Sequence, residues 1–153
     1  MTVCFTGHRK LESHNVVQTA SLLEEIIISL ASEGAVDFRA GGAVGFDTLA
    51  ALCVLTAKEK FPNIRLHLFL PCRNQTCGWA DGDIEKYNYI LSQADSVKYI
   101  SEKMAPGCML KRNRALVDGA DLCIAYCKKS TGGTAYTVSY AKERGVKVKN
   151  IYK

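Results

Sequence analysis

The segment Val36-Asp37-Phe38-Arg39-Ala40-Gly41-Gly42-Ala43-Val44-Gly45-Phe46-Asp47 passes from a short β-rich run, through a glycine-rich turn, into a long periodic stretch. Val36 to Ala40 has the length and composition of a strand and stops at Gly41-Gly42. From Phe46 to Phe61 the residues Leu49, Ala50, Cys53, Val54 and Ala57 share one helical face, and Pro62 ends the helix. Strand, glycine turn and helix in that order open a βαβ unit.

The same alternation extends in both directions. Upstream, Thr2 to Thr6 is a buried-strand run ending at Gly7, and Val16 to Ala31 carries a helical stripe closed by Gly34. Downstream, Ile64 to Leu70 reads as a third strand stopped by Pro71. His67 within it is expected to be a strand residue with a satisfied ring rather than a catalyst. A polar loop from Cys72 to Asp83 leads to a helix through Ile84, Tyr87, Ile90 and Leu91. Then come a strand over Ser96 to Ile100, a helix over Met109 to Val117 and a strand over Leu122 to Tyr126. A helix over Gly133 to Arg144, capped by Gly145, and a strand over Val146 to Ile151 complete the chain. The pattern predicts a Rossmann-like α/β fold: a doubly wound, mostly parallel sheet with helices on both faces, in one domain over residues 1–153.

Composition narrows the class. Hydrophobic residues make up 48% and charged residues 23% of the 153, the balance of a folded chain with a core. No apolar run approaches the ~20 residues that span a bilayer, and the N-terminus carries no signal-peptide pattern, so a cytoplasmic protein without a membrane partner is expected. Seven cysteines are scattered, with Cys4, Cys53 and Cys123 in apolar stretches; neither Cys72/Cys77 nor Cys123/Cys127 has metal-site or redox spacing. No metal and no cofactor are expected. The net charge of +5 suits an anionic ligand, but the basic residues are dispersed, so nucleic acid is a less favoured partner. A homo-oligomer is left open.

In an open parallel sheet, ligands sit beyond the carboxyl ends of the strands. The residues that follow the strands are Thr6-Gly7-His8-Arg9, Gly41-Gly42-Ala43-Val44-Gly45-Phe46-Asp47, Pro71 with Gln75 and Trp79, and Lys128 through Thr134. Both glycine turns, Gly41-Gly42 to Gly45 and Gly132-Gly133-Thr134, present backbone N–H groups and a helix N-terminus, which favour an anion. Neither is a Walker loop or a dinucleotide fingerprint. Arg9 offers a fork of donors to an anion. Asp47 either charges the first turn of its helix or accepts from a ligand hydroxyl. Trp79 either stacks on a base or covers the core edge. Arg112 is a solvated helix charge unless its helix points back at the site, with Asn113 beside it.

Several of these strings also stand in a family pattern. Thr6-Gly7-His8-Arg9, Gly41-Gly42-Ala43-x-Gly45-x-Asp47-x-x-Ala50, Pro71-x3-Gln75-x3-Trp79, Arg112-Asn113 with Val117-Asp118, and Gly132-Gly133-Thr134 together resemble the YpsA-like family of the SLOG superfamily. That superfamily includes the DNA-processing protein DprA and the LOG phosphoribohydrolases. The resemblance implies a nucleotide-type ligand in the crevice just outlined, held by Thr6 to Arg9, Gly41 to Asp47 and Gly132 to Thr134, with Gln75 and Trp79 as base contacts. It also associates the family with bacterial cell division. LOG enzymes place a catalytic glutamate three residues beyond the threonine of their glycine motif; this chain reads Gly132-Gly133-Thr134-Ala135-Tyr136-Thr137, and the next acid is Glu143. Binding of a nucleotide or another phosphate-bearing small molecule, in a sensor or regulatory role, is therefore expected ahead of phosphoribohydrolase-like catalysis, and that ahead of single-strand binding.

Overall fold

The computed structural model describes residues 1–153. Six strands, β1 (Thr2–Gly7), β2 (Asp37–Ala40), β3 (Arg65–Leu70), β4 (Ser96–Tyr99), β5 (Leu122–Tyr126) and β6 (Lys147–Asn150), form one sheet. Helices α1 (Val16–Ser32), α2 (Phe46–Lys58), α3 (Asp81–Gln93), α4 (Cys108–Val117) and α5 (Gly133–Glu143) connect them, and a 3-10 turn at Ser13–Asn15 precedes α1. The strand order is β4-β3-β2-β1-β5-β6, and every pairing is parallel. The chain thus builds outward from β1 to β4, and α4 carries it back to place β5 on the other side of β1. The β1/β5 boundary is the point where strand order reverses, and there the loops after the two strands part to leave a crevice.

β1 shows why this sheet is layered on both sides. Its central residues Val3, Cys4, Phe5 and Thr6 are all buried, as a parallel strand covered on two faces requires. Val3 and Phe5 join the larger core, which takes Leu23 and Ile27 from α1, Phe46, Ala50 and Val54 from α2, and Tyr87 and Ile90 from α3. Cys4 points the other way, into a smaller core with Cys123 of β5, Val117 of α4, Ala141 of α5, and Val146. The period-2 alternation of β1 and β5 therefore distributes the helices, with α1, α2 and α3 on one face and α4 and α5 on the other. Burial of Cys4, Cys53 and Cys123 to 5% exposure or less matches their reading as core residues.

Element boundaries differ from the expected ones by a few residues at the ends, most at α2, which stops at Lys58, and α3, which starts at Asp81. The edge strands β4 and β6 are mostly exposed and carry Lys98, Lys147 and Lys149, which discourages further strand pairing. His67 is satisfied as expected: its Nε2 lies 2.7 Å from Asp37 Oδ1 on β2 and its Nδ1 2.6 Å from Ser96 Oγ on β4. No helix is long and apolar enough to cross a membrane.

Candidate functional site

Three segments converge at the β1/β5 switch point. The loop after β1 is held from both sides, since His8 N–H donates to the Tyr126 carbonyl at 3.3 Å and Phe46 N–H donates to the His8 carbonyl at 3.2 Å. These bonds tie the end of β1 to the end of β5 and to the start of α2. Between the segments lies a cavity of about 270 Å³, lined by Thr6, Gly7, His8 and Arg9 after β1, by Ala43 and Asp47 before α2, and by Lys129, Thr131, Gly132, Gly133 and Thr134 after β5. α4 closes it with Met109, Arg112, Asn113 and Leu116.

Arg112 is the central charge. Its side chain is 5% exposed, and its recorded bonds run from Nε to Asn113 Oδ1 at 2.8 Å and from Nη1 to the Gly41 carbonyl. Nη2 remains a free donor. Asp47, 6% exposed, stands nearby and accepts from the Ala43 N–H through Oδ2 at 3.2 Å, yet no carboxylate lies within 4.0 Å of the Arg112 guanidinium nitrogens. Burial raises the Asp47 carboxyl above its ordinary range despite the opposing pull of Arg112 and the Ala43 N–H. Burial likewise lowers Arg112, with Asp47 only partly compensating. Both directions describe a buried cation and a buried acid that do not fully satisfy each other.

The opposite wall is the first turn of α5. Gly132 is its N-terminal boundary residue at φ 100°, and no side chain caps the helix, so its leading N–H groups are open to the cavity. Lys129 and Arg9 stand at the rim without side-chain hydrogen bonds or ion pairs. His8 has a different job from a charged ligand contact. Its Nε2 accepts from the backbone N–H of Lys128 at 2.8 Å and of Lys129 at 3.4 Å, so the neutral ring pins the loop after β5. Burial, with Lys129 and Lys128 beside it, lowers its pKa.

Not every expected residue reaches the cavity. Gly41, Gly42 and Gly45 form the turn behind it: Gly41 receives Arg112, Gly42 faces Leu70, Gln75 and Tyr87, and Gly45 lies against the Arg9 carbonyl. Gln75, within the loop after β3, is buried at 4% exposure, and Trp79 packs edge-on against Tyr87 with ring centroids 5.5 Å apart. Of the two readings of Trp79, the packing supports covering of the core edge. Lys129 and Thr131 line the cavity beside the expected Gly132, Gly133 and Thr134; both lie in the same segment after β5. Met109, Arg112, Asn113 and Leu116 sit at i, i+3, i+4 and i+7, and that helical spacing is the signal that joins Arg112 to the site.

A doubly wound α/β domain with an anion-favouring crevice at its switch point is the class these features define. The model of the YspA SLOG family matches residues 3–152, and the chain belongs to that family. Among its relatives, the UPF0398 protein BH1768 of Halalkalibacterium halodurans is 29% identical over 152 residues, a match covering 93% of this chain and 80% of that one. A UPF0398 protein of Bacillus thuringiensis (strain Al Hakam) is 31% identical over 107 residues, covering 68% of this chain and 58% of the relative. In structure the chain is similar to DNA processing protein A from Helicobacter pylori, described by its single-stranded DNA binding mode, with a TM-score of 0.72 and 21% identity. It is also similar to DprA from Streptococcus pneumoniae, with a TM-score of 0.70 and 21% identity. These matches cover 97% and 96% of this chain but 63% and 48% of the two larger ones, and at that identity they speak to the fold.

Proposed function

We propose that the crevice binds the phosphate of a nucleotide or nucleotide derivative, and that the domain acts as a nucleotide-binding sensor or regulatory module. The observation that carries this reading is Arg112, a buried cation lining the cavity with no carboxylate within ion-pair distance. Removing a charge from water is costly unless a partner repays it. A phosphate between Arg112 Nη2 and the open N–H groups of α5 would supply that partner, with Arg9 and Lys129 closing over it. Thermal-shift screening with inorganic phosphate, nucleoside monophosphates and nucleotide sugars tests it. Stabilisation by at least one nucleotide, weakened in Arg112→Ala, is expected; uniform failure to stabilise would overturn it.

Asp47 supports a second reading, cleavage of a nucleotide's glycosidic or phosphate bond, because a cavity-lining acid with a raised pKa suits proton transfer. Thr137, at the position of the LOG glutamate, argues for binding instead: it is 1% exposed, and its hydroxyl donates to the Gly133 carbonyl at 2.8 Å. Incubation with nucleoside monophosphates separates the two, since glycosidic cleavage predicts free base and ribose phosphate, and phosphate-bond cleavage predicts nucleoside and inorganic phosphate, products that Asp47→Asn abolishes. Single-stranded DNA, named for the Helicobacter protein, would instead show affinity falling steeply with salt.

A further inference from the structure

The phosphate crevice has a larger neighbour. A second cavity of about 700 Å³ opens on the far side of the loop after β1, and His8, Arg9 and Lys129 line both. Clefts that enclose small organic ligands run to about 300–1,000 Å³. The crevice's 270 Å³ falls just below that range, so a ligand larger than one phosphate and its sugar would extend past this shared rim.

The charge of the second cavity is one-sided. Arg9, Lys10, Lys128 and Lys129 line it against a single carboxylate, Glu12. That carboxylate is already occupied: Oε1 accepts from Lys128 Nζ at 2.8 Å and from the Tyr152 hydroxyl at 2.7 Å, and Oε2 lies 3.4 Å from His14 Nε2. Arg9, Lys10 and Lys129 have no carboxylate within 4.0 Å, so three cations of the second cavity, with Arg9 and Lys129 at the shared rim, are free for a ligand. Tyr152 supplies an aromatic wall, held edge-on against Tyr126 at 5.1 Å. The wall between the cavities is fixed, because His8 is bonded to the Lys128 and Lys129 backbone.

Resting on the phosphate reading of the crevice, we infer that the ligand carries two linked nucleotide units, with one phosphate in the crevice and the next unit in the Lys10–Tyr152 cavity. The chemistry needed is a phosphodiester-joined pair of nucleosides. A free dinucleotide and the end of a single strand share it.

Equilibrium titrations of the intact chain with 5′-dAMP, the 5′-phosphorylated dinucleotide pdApdA and a phosphorylated dA dodecamer test this. Lys10 is exposed and lines the second cavity but not the crevice, so Lys10→Glu alters the second cavity and leaves the crevice lining intact. The dinucleotide is expected to bind about tenfold or more tightly than 5′-dAMP. Lys10→Glu should erase that gain while leaving 5′-dAMP affinity within about twofold. A dodecamer no tighter than the dinucleotide identifies a dinucleotide-sized ligand, and a tighter one with a steeper salt slope identifies a strand; either supports the inference. Equal affinity for 5′-dAMP and pdApdA, or a gain untouched by Lys10→Glu, overturns it and leaves the crevice reading standing. Binding of neither ligand overturns both. Dinucleotide binding that Lys10→Glu weakens and Arg112→Ala does not would retain the second cavity and remove the crevice.

Discussion

Two glycine-rich turns lead into helices at the same edge of the sheet, Gly41–Gly45 before α2 and Gly132–Thr134 before α5. The first is filled by the protein itself. A Cβ on Gly41 would stand 2.8 Å from Arg112 Nη1 and 2.9 Å from Asp47 Oδ2, and one on Gly45 would run into the Arg9 carbonyl. The second is open: nothing lies within 4 Å of such an atom at Gly132, and Asn113 Nδ2 alone approaches Gly133, at 3.9 Å. One turn is scaffold that sets Arg112 and Asp47 in place, and the other is free backbone facing the cavity. A glycine turn before a helix thus has two separable uses, close packing and ligand approach.

The contrast breaks most visibly under substitution. Gly45 has φ 81°, so Gly45→Ala combines left-handed strain with a backbone collision. A loss of about 2–4 kcal/mol is expected, read by urea denaturation as a lower midpoint at unchanged slope. Gly133 lies outside the left-handed region and faces open space, so Gly133→Ala should stay within about 0.5 kcal/mol of the wild type. It should nevertheless weaken phosphate binding. Equal stability loss in both variants would erase the distinction between the turns.

Arg112→Ala is expected to reduce nucleotide affinity by about 10–100-fold, the scale of one or two charge-assisted hydrogen bonds, in a calorimetric titration. Arg112→Lys should recover only part of it, because the lysine has no planar fork.

Asp47 gives a smaller, pH-dependent effect. Its raised folded pKa means that the protonated form contributes stability below the usual carboxylate range, and that this is lost as pH rises through the folded value. Asp47→Asn, which mimics the neutral acid, should therefore be at least as stable as the wild type at pH 7, with the gap closing on acidification. A variant markedly less stable at pH 7 would show that the carboxylate is needed to compensate Arg112.

The smallest effect concerns His8. Its lowered folded pKa makes the neutral ring stabilising above about 6.5, the ordinary histidine value, and that contribution is lost as pH falls through the folded value. The protection of the Lys128 and Lys129 amides, their exchange rate set against the intrinsic rate at the same pH, should then fall on acidification, and in His8→Ala should be low at every pH.

Much of this fold is legible because parallel strands covered on both faces make continuous apolar runs, as in β1 and β5, and because α1, α2, α4 and α5 are each followed within a few residues by Gly or Pro. Strand order is not written locally: that α4 returns the chain to the far side of β1 is a property of packing. The site divides in the same way. Arg9, Asp47 and Gly132 to Thr134 sit directly after strands, where position alone marks them. Gln75 and Trp79 also follow a strand, but two strands, β2 and β1, separate β3 from β5, too far along the sheet for their loop to reach the cavity, and they face Gly42 and Tyr87 instead. Arg112 needed both its helical spacing and the return of α4 to become a floor rather than a surface charge.

The most direct test is a crystal structure with 5′-dAMP bound. The phosphate should lie within hydrogen-bond distance, about 2.7–3.2 Å, of Arg112 Nη2 and of the leading N–H groups of α5. A phosphate seated at the Gly41–Gly45 turn, or away from the β1/β5 switch point, would contradict the assignment of the two turns and the site built on it.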